Sequence, residues 1–249
     1  MPFDINVQTT LSQGVQSIAA LTGQAIPPDP AGSTDPSVRQ MVTAMNQAAS
    51  ELYAIRDWQE LRQQMTIQVI ADSAGQLEKG FPLPDDYGRF VDGTQWAQNQ
   101  RWPAVGPIQP QGWMTYLVNN LSPTTSIFWQ IRNDKLFVLR PPFPVASPFT
   151  AFYISRGYII DQDDPTLFKN QATKNGDTFL LDGQLVTLFG RVKWLEYKGF
   201  DTSAAMRDYQ TQFDSRAGSD EGAAYYNLSG RGGVPLLNVS NLPDTGFGS

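Results

Sequence analysis

Residues 179–201 read FLLDGQLVTLFGRVKWLEYKGFD, and at 100° per residue this stretch is apolar on two sides of a helix. Leu181, Leu185, Leu188, Phe189, Val192 and Leu195 share one face, the core stripe of an amphipathic helix. A second stripe lies roughly 150° away and holds Phe179, Val186, Gly190 and Tyr197, with Trp194 beside it. A surface helix has no use for a second stripe. This helix is therefore either central in its domain or has a partner on each side. Gly199 stops it, and Asp201 caps a last helix that carries Met206, Tyr209 and Phe213 and ends near Gly218. A loop of about three residues between the two predicts an antiparallel helical hairpin.

The other helices lie at the opposite end of the chain. Residues 7–22 place Leu11, Val15, Ile18 and Leu21 at helical spacing. A proline-rich linker, GQAIPPDPAGSTDP, follows. Asp35-Pro36 is an N-cap followed by proline at the first helical position. From there Val38, Met41, Val42, Met45, Ala48, Ala49, Leu52 and Ile55 form one stripe on a helix of about 21 residues, about 31 Å long. After Trp58 the period falls to two: Met65, Ile67 and Val69 alternate with polar residues, as in a half-buried strand. ADSAG is a turn, and LEKGFPLP returns as a second, short strand. SIFWQI, KLFVL and FTAFYI are further strands, with Asn133-Asp134 as a tight turn between the first two. Residues 110–119 form a short helix, and 155–178 are polar and irregular.

The element pattern is α+β. It predicts an antiparallel helical bundle from both ends of the chain, a small inserted antiparallel β-rich segment and an extended C-terminal arm. The divisions are residues 1–62 (N-terminal helices), 63–177 (inserted β-rich region), 178–218 (helical hairpin) and 219–249 (arm).

Composition removes most chemistry. Among 249 residues there is no cysteine and no histidine. Disulfides, thiolate metal sites, thiol nucleophiles, the serine–histidine triad and the commonest metal ligand all go with them. No catalytic residue, cofactor or metal is expected. The net charge of −6, from 18 basic against 24 acidic residues, disfavours duplex DNA binding over a broad face. DQDDPTL (161–167) lacks a calcium loop's glycine at the sixth position, where Thr166 sits, and its glutamate at the twelfth, where Ala172 sits. Asp85-Asp86 and Asp163-Asp164 suit turns and caps better than a glycosidase pair. The N-terminus shows no secretion signal, and no apolar run is long enough to span a membrane.

Two stretches carry interface chemistry. Residues 219–249 are rich in glycine, serine and asparagine, yet Tyr225, Tyr226, Leu228, Val234, Leu236, Leu237, Val239, Leu242 and Phe247 are spread through them. An arm that docks on something carries such anchors; the alternative is a tail folded back on its own domain. Trp96, Trp102 and Trp113 cluster in TQWAQNQRWPAVGPIQPQGW, where they pack a small sheet, anchor an interface or stack on sugars.

In combination the segments resemble the head-to-tail adaptor (head-completion, or neck) proteins of tailed bacteriophages. FPLPDDYGRF is similar to that family's L-P-x-D-[FY]-x-R segment, through Leu83, Pro84, Asp86, Tyr87 and Arg89. Trp96, Arg101, Pro103, Gly106-Pro107 and Trp113 follow at family-like spacing. FWQIRNDKLFVLRPPFP, AFYISRGYI and the 177–201 segment resemble the family's hairpin, aromatic strand and closing helix, and Asp35-Pro36 through Trp58 its first long helix. The likeness covers roughly residues 35–218. It implies a virion protein of the neck, assembled in the host cytoplasm: a ring of neighbouring copies, commonly twelve, seated under the portal protein. The genome would pass through the lumen without specific binding. Tail nozzle, tail tube or tail fibre proteins would attach below, and the C-terminal arm would reach the portal; no membrane is involved. In such a ring the stripe of Phe179, Val186, Gly190, Trp194 and Tyr197 faces the inserted sheet or the next subunit. The rival readings are a carbohydrate-binding or glycan-hydrolysing tail module using Trp96, Trp102 and Trp113, and a nucleic-acid-binding protein with steep salt dependence.

Overall fold

A computed structural model describes residues 8–97, 102–119, 127–142 and 144–220. The proposed arm anchors from Tyr225 to Phe247 lie outside the described residues. Among the described residues there are five α-helices: α1 (Leu11–Leu21), α2 (Pro36–Ile55), α3 (Pro110–Val118), α4 (Gly183–Lys198) and α5 (Ser203–Asp220). The strands in order are β1 (Thr9–Thr10), β2 (Arg62–Val69), β3 (Glu78–Pro82), β4 (Tyr87–Phe90), β5 (Trp96–Ala97), β6 (Trp102–Pro103), β7 (Phe128–Arg132), β8 (Lys135–Leu139), β9 (Ser147–Ser155), β10 (Ile159–Ile160), β11 (Phe168–Lys169) and β12 (Thr178–Phe179).

The helix ends are set by side chains that satisfy orphan backbone groups. Thr10 and Gln13 form a reciprocal capping box at the start of α1. Asp35 accepts from the Ser37 N–H at 2.8 Å ahead of Pro36, and Asp182 accepts from the Leu185 N–H at 2.9 Å. Gly199 ends α4 in the left-handed conformation, with φ 69°. Asp201 accepts from the Ser203 N–H at 3.0 Å.

The expectation of a helical bundle with a small β insert is overturned. The described residues hold three antiparallel sheets, with orders β1-β12-β10-β11, β2-β9-β5-β6 with β4 also on β9, and β3-β8-β7. Two causes explain the difference. Strands of two residues, such as β10, β11 and β12, carry no alternation to detect, so 155–178 looked irregular. In addition, β3 does not return on β2 but pairs with β8, from Glu78↔Leu139 to Pro82↔Lys135, a choice no local pattern encodes. The expected turn between β7 and β8 is present: Asn133 and Asp134 take φ 48° and 55°, the geometry of a primed hairpin turn. Tyr158, Ile159, Ala172 and Phe179 belong to the helical core, so the chain rejoins that half just after β9.

The described residues form two apolar cores. One joins α1, α2, α4 and α5 with Trp58, Leu61 and Ile154; the other lies between the sheets, around Val69, Phe81, Trp129, Val138 and Phe149. The two-sided helix is α4, and it is central. On one side Phe189 stacks on Tyr209 of α5 at 4.4 Å. On the other, Gly190 lies against Met45 of α2 and Ile18 of α1. Phe179, Val186, Gly190 and Trp194 are all buried within the chain. Their assignment to an inter-subunit surface is therefore corrected: α1 and α2 already occupy that side. Tyr197 alone of the stripe is exposed, at 41%, and its hydroxyl is bonded to Gln47.

Candidate functional site

The stretch from Leu83 to Arg89 joins the helical half to the sheets. Pro84 accepts from the Tyr87 N–H at 2.9 Å and closes a turn. That turn aims Asp86 at β9, where its carboxylate accepts from the Tyr153 hydroxyl at 2.9 Å. The β4–β9 register shifts between Tyr87 and Arg89. There a Cβ on Gly88 would stand 2.7 Å from the Ile154 carbonyl oxygen, so the close approach of the backbone requires glycine. Beyond the shift, Arg89 turns to the end of α2. It donates to Asp57 at 2.7 Å and to the carbonyls of Tyr53 and Arg56 at 3.0 and 2.7 Å, and its guanidinium lies 4.9 Å from the centre of the Tyr53 ring. Two orphan carbonyls of a helix terminus are satisfied by one planar fork. Burial, and then the Asp86 carboxylate, push the Tyr153 phenol up, and burial takes Tyr87 up to about 12. Both stay protonated near neutrality, and Tyr153 is held as a donor.

Beside this joint lies a groove of about 480 Å³ between α3, β7 and β4. Tyr87, Phe90, Ile108, Trp113, Met114 and Trp129 supply its apolar lining, and Asp92 and Arg132 its charge. Arg132 is already engaged: Glu78 Oε2 accepts from Arg132 at 2.8 Å and from the Trp113 indole N–H at 2.7 Å. The guanidinium sits 3.9 Å from the centre of the Phe137 ring. Trp129 is held edge-on to Phe90 at 5.1 Å. Such a groove is suited to an apolar or aromatic group of a partner.

Trp96 and Trp113, the two whose side chains are described, lie on different parts of the sheet half. Trp113 is 1% exposed and helps line the groove. Trp96 is half-buried on β5, opposite Thr150 and Pro103, and is not part of the lining. Trp102 pairs its backbone with Ala97; its side chain lies outside the described residues. A shared sugar-stacking platform is not formed by Trp96 and Trp113.

The acidic stretch after β10 serves the chain itself. Lys169 lies 2.7 Å from both Asp161 and Asp177, and Lys174 reaches Asp163 at 2.6 Å and Asp161 at 3.1 Å. Buried Asp177 also accepts from the N–H groups of Gln162, Thr173 and Lys174. Of the paired aspartates, Asp164 acts as a turn residue, since it accepts from the Thr166 N–H at 2.9 Å. Among the described residues no group of three or more acidic side chains is placed to hold a metal ion. Nor, among them, is any helix long and apolar enough to cross a membrane.

The role of Arg89 was missed from sequence, although its motif was noticed; no local signal says which helix end an arginine on a strand will serve. The lysine–aspartate cluster had a clearer trace, in two lysines following a run of aspartates. No protein-family model matches this chain, and no curated protein does.

Proposed function

We propose that the chain is a structural head-to-tail adaptor of a tailed bacteriophage, working through interfaces rather than chemistry. It would form a ring below the portal, continue the DNA channel and present a surface to tail proteins. The observation that carries this reading is the joint at Leu83–Arg89. The residues that resemble the adaptor segment are the ones that lock the helices to β9, so the likeness falls on a structural connection rather than on a surface loop.

The apolar surface is in keeping with it. Met114 and Val118 on α3 are 55% and 74% exposed, and Leu167 and Phe168 at β11 are 53% and 44% exposed. These pairs belong to different halves of the fold. A ring needs two dissimilar, mutually complementary surfaces on each subunit. The acidic balance suits a lumen through which DNA slides.

The test is mass photometry of the full chain with the portal ring of its own virus. A gain of about 330 kDa, twelve copies of 27.6 kDa, is the expected result for a closed ring. No gain from a folded chain would sink the adaptor reading.

A further inference from the structure

We infer that Asn175-Gly176 is a self-modification site: a deamidation site that the native packing holds inert, and whose conversion to a carboxylate releases the linker between α1 and α2. The inference stands apart from the adaptor reading.

The chemistry follows from the sequence. Asn175-Gly176 is the one Asn-Gly step among 249 residues. In such a step the backbone nitrogen of the glycine attacks the side-chain carbonyl carbon of the asparagine. The new C–N bond closes a succinimide ring, the Cγ–Nδ2 bond breaks, and Nδ2 leaves as ammonia with the proton of the glycine N–H. Water then opens the ring to aspartate or isoaspartate. Glycine obstructs the closure least, because it has no Cβ and its backbone turns freely. An intramolecular attack is limited by the alignment of the reacting atoms, so whatever holds those atoms sets the rate.

The polar groups that ring closure must move are engaged. The Asn175 carbonyl accepts from the Ser12 N–H of α1 at 3.0 Å, and the Gly176 N–H donates to Gln162 Oε1 at 2.7 Å. The peptide plane is therefore fixed on both sides. In the side chain, Oδ1 accepts from the Ala31 N–H at 2.9 Å, and Nδ2 donates to Asp29 Oδ1 at 2.5 Å. The neighbours stiffen this frame. The Asp177 carbonyl accepts from the Leu11 N–H at 2.9 Å, and the buried Asp177 carboxylate accepts from the Gln162 N–H at 3.1 Å. Attack requires the Gly176 nitrogen to leave Gln162 and the Asn175 side chain to leave Ala31 and Asp29 together. The guard is conformational.

The same contacts tie the linker, residues 22–35, and the start of α1 to one loop. Asp29 Oδ1 also accepts from the Gly32 N–H at 3.0 Å. A carboxylate at position 175 has no donor to offer Asp29, and like charges at hydrogen-bond distance repel. Isoaspartate also inserts a methylene into the backbone that Ser12 holds. Loss of ammonia is not reversed by refolding, so a chain that has once opened here carries the mark.

The full chain is held in mildly alkaline buffer, folded or in guanidinium chloride. Conversion at Asn175 is followed by mass spectrometry of the proteolytic fragment that carries it. The unfolded chain should convert at least about tenfold faster than the folded one. Gln162→Met keeps a side chain of similar length but offers the Gly176 N–H only a weak acceptor. Conversion in that folded variant should rise about tenfold, the factor that one ordinary hydrogen bond gives a rate. Asp29→Ala, at an exposed linker position, should act in the same direction and serves where Gln162→Met does not fold. Asn175→Asp, made directly, should speed hydrogen exchange at the Ala31 and Gly32 amides about tenfold. Equal conversion in folded and unfolded chains, or folded variants that convert no faster than the native chain, would overturn the guard. Unchanged exchange in Asn175→Asp would overturn the release of the linker.

Discussion

A Cβ at Gly190 of α4 would stand 2.9 Å from the sulfur of Met45 in α2, and 3.1 Å from the Ile18 Cδ1 of α1. Met45 and Ile18 are fully buried, so neither has space to withdraw. Alanine at 190 gains about 1 kcal/mol of helix propensity but overpacks the contact at a cost of about 1–3 kcal/mol. Gly190→Ala should lower stability, and Gly190→Val should lower it further. Met45→Ala alone should cost about 2–5 kcal/mol. In that background the sign at 190 should reverse and Gly190→Ala should stabilise. Urea midpoints of the four chains check this; simple additivity would refute the close contact.

Arg89 serves two carbonyls and one carboxylate, so Arg89→Lys is not conservative here. A lysine cannot present the planar fork, and the loss should be about 1–3 kcal/mol. Asp57→Ala removes only a partly exposed ion pair and should cost under about 1 kcal/mol. Thermal unfolding of both variants gives the order. Equal effects would mean that the carbonyl bonds contribute nothing.

The Lys169 cluster makes stability depend on pH in acid. Lys169 above all, then the Asp163 N–H and Lys174, hold the Asp161 carboxyl well below the usual range. Burial opposes the charge on Asp177, but Lys169 and three backbone donors outweigh it and its pKa is lowered. Both groups bind protons more readily in the unfolded chain. Their contribution is therefore complete above the unfolded carboxylate pKa of about 3.9 and is lost as pH falls through the depressed folded values. Lys169→Met should be less stable than the native chain near neutrality, and the gap should narrow below about pH 4. Denaturant titrations across that range test it, and a gap independent of pH would contradict the assignment.

Two glycines near the groove should respond in opposite directions. A Cβ on Gly106 would lie 2.5 Å from the Trp129 carbonyl oxygen and 2.8 Å from its ring. That carbonyl also accepts from the Ile108 N–H at 3.0 Å, so it is not free to retreat. Gly106→Ala should cost about 1–3 kcal/mol. A Cβ on Gly112 in α3 meets only Ile108, at 3.4 Å, and Gly112→Ala should stabilise by up to about 1 kcal/mol. Calorimetry of the two variants decides.

Local signals carried far along this chain. Asp35-Pro36 marks the start of α2, Gly199 the end of α4 and Asn133-Asp134 the turn between β7 and β8, because each acts through backbone geometry within a few residues. The two stripes of α4 left two arrangements open, a central helix or one with a partner on each side, and the helix is central. They do not say whose helices those partners are, and the contact of Gly190 with the chain's own α1 and α2 is a matter of tertiary packing. The pairing of β3 with β8 was hidden for the same reason. At the candidate site, Trp113 was visible as an anchor, but the groove beside it depends on Gly106, Phe90 and Trp129 meeting from three separate segments.

The central place of α4 also orders events during synthesis. α1 and α2 leave the ribosome early, yet the helix that fills the space between them and α5 begins only at Gly183. Their apolar stripes must wait while the whole of the larger sheets is made. β2 to β9 close on one another within that interval, so the sheet half is the first part able to reach a stable form as domains fold in order of emergence. The helical half, whose α2–α4 contacts are the more distant in sequence, should form after it.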